Sequence, residues 1–453
     1  MKNFVNKQVF GQINNAPLVI FRIIFGTLMF LSLVRFWFKG WIEEFFINPV
    51  FHFHYYGFEW VPQGNDAAIY SIFLISLFSS LGIALGLYYR ANSILFFLSY
   101  SYLELIDSSL YLNHYYLINL MALLLIFLPA NRRFSLDVKF GLANKSKSSE
   151  AWTVNIIRFQ LVVLYFYAGV AKIGPDWLLE AQPLKLWLGM HSEMPILGSF
   201  FIKDWTAYFF AWFGCIYDLS IGFFLLFSKT RKWAYFFVLT FHLATGYLFN
   251  IGLFPYIMIA LTLVFFTERF HEKILKTLGE KMIFPEEKKH SVKKWILIPI
   301  AFYIFFQVAF PLRHFLYDGN VLWTEQGYRF SWRVKLVAKN GNTTFYIEDR
   351  KTKRRIEIQN EDLLTPIQEK KMSVKPELIL LFAHFLNQKY QDTIIRAGNK
   401  EFHIVDPAIY SEVYVSLNGR SSILLIDPYA DLSKIKSTQI GDIIINKNHP
   451  FAN

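Results

Sequence analysis

About nine apolar stretches fill the first two thirds of this chain, and they restrict it to folds whose backbone can be satisfied in lipid. They run approximately over 17–38, 67–89, 92–107, 114–130, 152–172, 207–227, 232–248, 251–267 and 294–312. A helix satisfies its own backbone hydrogen bonds, so each stretch predicts a helical membrane span. The third and eighth are short, as tilted, enclosed or re-entrant spans are. The first begins near Leu18 and lacks a small-residue cleavage site, so it reads as a span and not as a signal peptide. Beyond about residue 312 the composition is that of a globular domain. The expected fold is an all-α polytopic membrane bundle over 1–312, followed by a small α+β extracytoplasmic domain over 313–453.

The basic residues give a second, independent reading of this layout. With the N-terminus in the cytoplasm, nineteen lysines and arginines fall on the cytoplasmic side: Lys2, Lys7, Arg90, five between Asn131 and Glu150, three between Lys229 and Lys232, and eight from Arg269 to Lys294. The opposite loops hold only Lys39, Lys172, Lys185 and Lys203. This asymmetry follows the positive-inside rule and leaves the C-terminal domain outside the cytoplasm, at the plasma membrane of a bacterium or in the endoplasmic reticulum of a eukaryote. The formal charge of +12 is thus largely a topology signal, which argues against nucleic acid as a partner. The single cysteine, Cys215, allows no internal disulfide, and no metal-binding motif is present. In the last 140 or so residues, strands are expected at 332–338, 343–348, 413–417 and 423–426. Asn418-Gly419 marks a turn between the last two. A helical pattern covers 366–390, divided by Pro376.

Polar residues inside apolar spans are costly, and a chain that retains them usually uses them. Lys172 ends the fifth span, where burial favours the uncharged amine, a base. The predicted topology brings other polar groups toward the same outer half: Asn113 and His114 at the mouth of the fourth span, Glu104 and Asp107 in the last turn of the third, Asp218 near mid-depth in the sixth, His242 in the seventh and Asn250 at its exit. Each also has a structural reading. Lys172 can snorkel to the interface, the histidines can bond a neighbouring carbonyl, and Asp218 can pair with Arg22 or Arg158.

A set of ordered segments carries more specific information. They are F-R-I-I-F-G (Phe21–Gly26), G-L-Y-Y-R (Gly86–Arg90), N-H-Y-Y-L (Asn113–Leu117), A-N-R-R-F-S-L-D (Ala130–Asp137), Y-F-Y-A-G-V-A-K-I-G-P-D-W (Tyr165–Trp177), D-L-S-I-G-F-F-L-L-F (Asp218–Phe227) and F-H-L-A-T-G-Y-L-F-N-I-G-L-F-P-Y (Phe241–Tyr256). H-F-L-Y-D-G-N-V-L-W (His314–Trp323), Y-R-F-S-W (Tyr328–Trp332) and V-Y-V-S-L-N-G-R (Val413–Arg420), with Asp427-Pro428, follow them. This series resembles the vitamin K-dependent γ-glutamyl carboxylases and their bacterial relatives with a horizontally transferred transmembrane (HTTM) domain. The resemblance implies an enzyme that oxidises a vitamin K hydroquinone with O2, epoxidises it, and uses the strong base so formed to take a γ-proton from a protein glutamate, to which CO2 adds. It implies Lys172 as the base toward the hydroquinone, with His114 and His242 orienting the quinol or its oxygenated product. It also implies a quinone or substrate pocket drawing on Asn113, Asp107, Asp218, Asn250, Tyr256, His314, Trp323, Tyr328 and Trp332. The expected partners are the lipid bilayer, a prenylated quinone of the menaquinol type and a glutamate-containing exported peptide or protein, with no metal.

The chain departs from the animal pattern in having Ala171 before Lys172 where that pattern has a second lysine, and in ending at Asn453 without the longer luminal region. These departures leave open a variant that keeps quinol oxidation and uses another acceptor. Two further readings are a non-enzymatic quinone-binding protein or transporter, and a maturation factor for exported proteins.

Overall fold

The computed structural model describes residues 7–249, 251–281, 294–397 and 400–448. The first part is a helical bundle of α1 (Ala16–Phe38), α2 (Asp66–Leu85), α3 (Tyr89–Ile106), α4 (Asn113–Phe127), α5 (Trp152–Val170), α6 (Asp204–Leu226), α7 (Arg231–Phe249), α8 (Phe254–Leu261), α9 (Glu268–Thr277) and α10 (Leu297–Ala309). A 3₁₀ turn extends α10 to Leu316. Five of these helices, α1, α2, α5, α6 and the extended α10, are long and apolar enough to cross a membrane. The other expected spans are also helical, but α4 and the α8 region are shorter, and α3 and α7 are interrupted by more polar residues.

Two bundle ends emerge from how the loops gather. At one end, strand β1 (Gln12–Asn14) pairs with β2 (Ser148–Glu150), and Arg133 donates to both carboxylate oxygens of Glu280 at 2.6 Å. Three of the ordered sequence segments meet beside it. Gly86 caps α2 with φ +63°, and a Cβ there would stand 2.4 Å from the Arg22 guanidinium. That guanidinium donates to the carbonyls of Ala130 and Phe134, while Asp137 accepts from the backbone N–H groups of Tyr88 and Tyr89. These motifs therefore build a structural joint: Arg22 spends its charge on backbone carbonyls and does not reach Asp218.

The other end carries the C-terminal part. Its central sheet has the order β4 (Arg355–Ile358), β3 (Lys339–Asp349), β7 (Pro407–Leu417), β8 (Ile423–Leu424), all antiparallel. A separate ladder joins β5 (Thr393–Ala397) to β6 (Lys400–Ile404). Helices α11 (Pro366–Met372) and α12 (Pro376–Lys389) are divided at Pro376 as expected, and α12 packs on the sheet. Asn418 and Gly419 both take positive φ in the β7–β8 turn. The strand expected over 332–338 does not form. Trp332 and Lys335 have positive φ, and Trp332 is buried in the helical bundle while Leu336 packs in a separate cluster. Divergent side-chain anchoring replaces a ladder there.

The two parts exchange aromatic anchors. Phe51 and Phe53, from the loop after α1, pack into the C-terminal core, with Phe51 stacked on Phe385 at 4.4 Å. In return Trp332 enters the bundle core and stacks on Tyr116 at 4.8 Å. A charged clamp supplements these: Asp176 accepts from Asn418 at 2.6 Å and from both terminal nitrogens of Arg420.

Candidate functional site

Helices α5 and α6 run close together because a glycine of each lies against the other helix. A Cβ on Gly169 would lie 2.6 Å from the backbone nitrogen of Leu219, and one on Gly222 would lie 3.1 Å from the Cα of Val162. This approach sets the chemistry at the end of α5. Lys172 is only 6% exposed, and its Nζ donates to Asp218 Oδ2 at 2.6 Å and to the Ala168 carbonyl at 3.1 Å. The indole of Trp177 lies 5.3 Å from Nζ and is itself tied down by a hydrogen bond from Nε1 to the Ala211 carbonyl. Lys172 therefore does not snorkel. Its counter-group is a buried carboxylate. Arg158, the other cation considered for Asp218, instead donates to the Val264 carbonyl.

An aromatic box continues from this pair. Tyr217, next to Asp218, stacks on Phe241 at 4.0 Å and meets Tyr165 edge-on at 6.0 Å. Tyr165 Oη and His242 Nε2 are 2.8 Å apart, and His242 is buried. Lys172, Asp218 and His242 thus belong to one neighbourhood of α5, α6 and α7. His114 does not join it. Its ring packs on Tyr115 and Phe254, on the side of α4 and α8, and no hydrogen bond or ring contact links it to Lys172, Asp218 or His242 among the described residues.

Below the C-terminal part, a cleft of about 1050 Å³ opens beside the end of α5. Ala171, Ile173 and Trp177 form one wall; Leu312, His314 and Phe315 form another; Ser331, Arg333 and Leu336 close the top. The neighbours of Lys172 thus line the cleft, and its amine lies behind them. Ile173 and Phe315 are 59% and 77% exposed, so this side of the cleft is open between apolar groups. Arg333 has a buried Nε with no hydrogen-bond partner among the described residues.

The remaining residues expected at a pocket divide by position. His314 lines the cleft, and its Nδ1 lies 3.0 Å from the Pro311 carbonyl. Asn113 bonds the Arg333 carbonyl at 3.0 Å and so fixes the cleft's roof from the bundle side. Trp332 is wholly buried against Tyr116, just behind Ser331. Tyr328 is half-buried beside Glu325, and burial together with that carboxylate pushes its phenol up. Asp107 sits elsewhere, accepting from Gln368 of α11 at 2.8 Å with His52 Nδ1 at 3.2 Å, and joins the two parts. Trp323 is a core residue of the C-terminal part, donating to the Ile445 carbonyl. Tyr256 is half-exposed on α8. Asn250 lies outside the described residues.

Tyr165, Tyr217, Trp177 and Arg333 went unassigned in the sequence reading. Spacing could have found the first: Tyr165, Ala168 and Lys172 recur at intervals of three and four, which places them on one helix face. Nothing local marks Tyr217, because its role depends on where α7 packs.

Comparison with known families adds two matches. The profile of the HTTM domain covers residues 10–270, more than half of the chain. The profile described as the lumenal domain of vitamin K-dependent gamma-carboxylase covers residues 292–444. No solved structure matches the chain.

Proposed function

The chain belongs to the vitamin K-dependent gamma-carboxylase family, and on that premise we propose that it is a membrane enzyme coupling vitamin K hydroquinone epoxidation to glutamate carboxylation. The observation that carries this reading is the buried Lys172–Asp218 pair beside a large, mostly apolar cleft roofed by the carboxylase-type lumenal part.

The cleft suits a prenylated hydroquinone. Its volume lies at the upper end of ordinary small-molecule sites, and its open side between Ile173 and Phe315 lets an apolar tail pass into lipid. Its polar groups are His314, Asn320, Ser331, Arg333, Asn448 and the already committed Asp176, set among apolar neighbours. When bound, the reduced vitamin would supply with O2 the epoxidation chemistry and the strong base that a γ-carbon proton demands, far beyond any side chain in water, before CO2 adds.

The chain's own residues would then perform several tasks. The pair exchanges one proton between Lys172 Nζ and Asp218 Oδ2, so a carboxylic acid beside a free amine is in reach without net charge entering the apolar interior. From behind the wall formed by Ala171 and Ile173, the Lys172 amine would take a hydroxyl proton from a bound quinol. Asp218 holds the first proton while Lys172 carries the second. Trp177 and the apolar walls exclude water, which strengthens every electrostatic contact inside. Tyr165 and His242 form the rigid rear of this site, and His114 acts from the α4 side.

The topology that accompanies this reading has nine spans, the N-terminus and the Arg133–Glu280 end in the cytoplasm, and a C-terminal domain from about residue 313 outside it. The loops' grouping at two ends and the charge asymmetry support it. Purified protein in detergent, supplied with reduced vitamin K, bicarbonate and a glutamate peptide, is expected to form quinone epoxide and a carboxylated peptide. Lys172→Ala abolishes both; unchanged epoxide formation in that variant would remove Lys172 from the mechanism.

A further inference from the structure

Positive charge outruns negative in the C-terminal part beside the cleft. Lys339, Lys375 and Arg329 surround Glu325, Lys371 lies near it, and Lys335 is close to Lys371. The two acids in this group are already committed. Glu325 accepts from Lys339 Nζ at 3.2 Å, and the same amine donates to the carbonyls of Trp323 and Val374. Glu377 accepts from Arg329 at 2.7 Å. No hydrogen bond or ion pair holds the amines of Lys335, Lys371 or Lys375 among the described residues; Lys335 rests only on the Trp187 ring, 5.1 Å from its centre.

Lys371 and Lys375 are half-buried and Lys335 is exposed beside them; cations gathered without a bonded counter-group repel one another, and a protein retains them where an anion completes them. Lys375 shows the cost. Burial, with Arg329 and Lys371 adding to it and Glu325 and Glu377 opposing, pushes its amine down to about 8. Burial also lowers Lys371 and Lys335. The group's position suggests what the anion is. Lys335 belongs to the segment whose Ser331, Arg333 and Leu336 roof the cleft, and Lys371 and Lys375 bracket the turn from α11 to α12. A single-phosphate lipid headgroup offers one anionic point, whereas lysines on separate segments suit several carboxylates spaced along a chain.

We propose that Lys335, Lys371 and Lys375 form a carboxylate-binding exosite that holds the acidic side chains of a glutamate-rich peptide while one of its glutamates occupies the neighbouring cleft. The inference rests on the carboxylase reading for the peptide's identity, and its test is binding without turnover, so each can fail alone.

The probe is a fluorescein-labelled glutamate-rich peptide, with an all-glutamine counterpart, titrated by anisotropy against the full-length protein in neutral detergent. The glutamate peptide is expected to bind more tightly, with affinity falling as salt rises. Lys335→Gln, at an exposed position, and Lys371→Gln are each expected to weaken it about fivefold, and the combination with Lys375→Gln roughly 50-fold. Equal binding of the two peptides, or unchanged binding by both Lys335→Gln and the triple variant, would overturn the exosite. So would full displacement of the peptide by anionic-lipid vesicles at matched charge, which would assign these lysines to a headgroup.

Discussion

At the scale of residues, the decisive contact is the 2.6 Å bond between Lys172 and Asp218. A lone buried lysine and a buried lysine–aspartate pair differ in what they can do. The lone amine lowers its own cost by discarding its proton, whereas the pair retains a proton within the site and passes it between partners. Arginine separates a base from a mere positive charge, because a guanidinium does not give up its proton in proteins. Lys172→Arg is therefore expected to keep the protein folded and yet make no detectable epoxide, and Asp218→Asn to lower epoxide formation by about 100-fold or more, within the range of a lost acid–base contribution. Epoxide yield by chromatography checks both, and an active Lys172→Arg protein would reduce the lysine to an electrostatic role.

At the scale of elements, the pair exists only because α5 and α6 touch at glycine. A side chain at position 169 would meet the backbone of Leu219, which cannot yield as a flexible side-chain tip can. Gly169→Val is expected to push the helices apart at that level and to cost roughly 1–3 kcal/mol, as overpacking does. It leaves the helix content by circular dichroism near that of the parent and removes epoxide formation to the level of Asp218→Asn. Full activity in this variant would show that close packing of α5 on α6 is not what positions the lysine. Trp177 and Asp176 belong to the same short segment and divide its labour. Trp177 turns inward to Lys172, and Asp176 turns toward Asn418 and Arg420 of the C-terminal part. Docking of the roof and shielding of the amine are thus set by adjacent residues.

At the scale of the whole molecule, the bundle and the C-terminal part are interlocked by Trp332 in one direction and Phe51 and Phe53 in the other. Their relative position fixes the cleft, whose walls come from both. The proposed orientation has a direct check. Cys215 is buried, so an impermeant maleimide reports on introduced cysteines alone. In sealed, right-side-out membranes, Lys447→Cys is expected to label from outside and Lys145→Cys only after permeabilisation. Labelling of both from the same side would break the nine-span arrangement, and the swapped pattern would reverse it.

Much of the architecture was legible in the chain because its signals are local. Apolar length sets long helices, Pro376 separates two helices, and Asn418-Gly419 makes a turn. The segments containing Arg22, Gly86 and Asp137 were recognisable as units, but their meeting in one joint was not, since it depends on contacts between helices distant in the chain. The same holds at the site. The residues fixed on their own that Lys172 ends an apolar helix and that Tyr165 shares its face. Only the tertiary structure decided that Asp218 neutralises it, that His242 lies behind Tyr165 while His114 stands on another side, and that Asp107 and Trp323 serve the joining and filling of the C-terminal part. The physical reason is that burial and secondary structure follow from neighbours in the chain, whereas a charge's partner follows from which helix faces it across a gap that a single glycine sets.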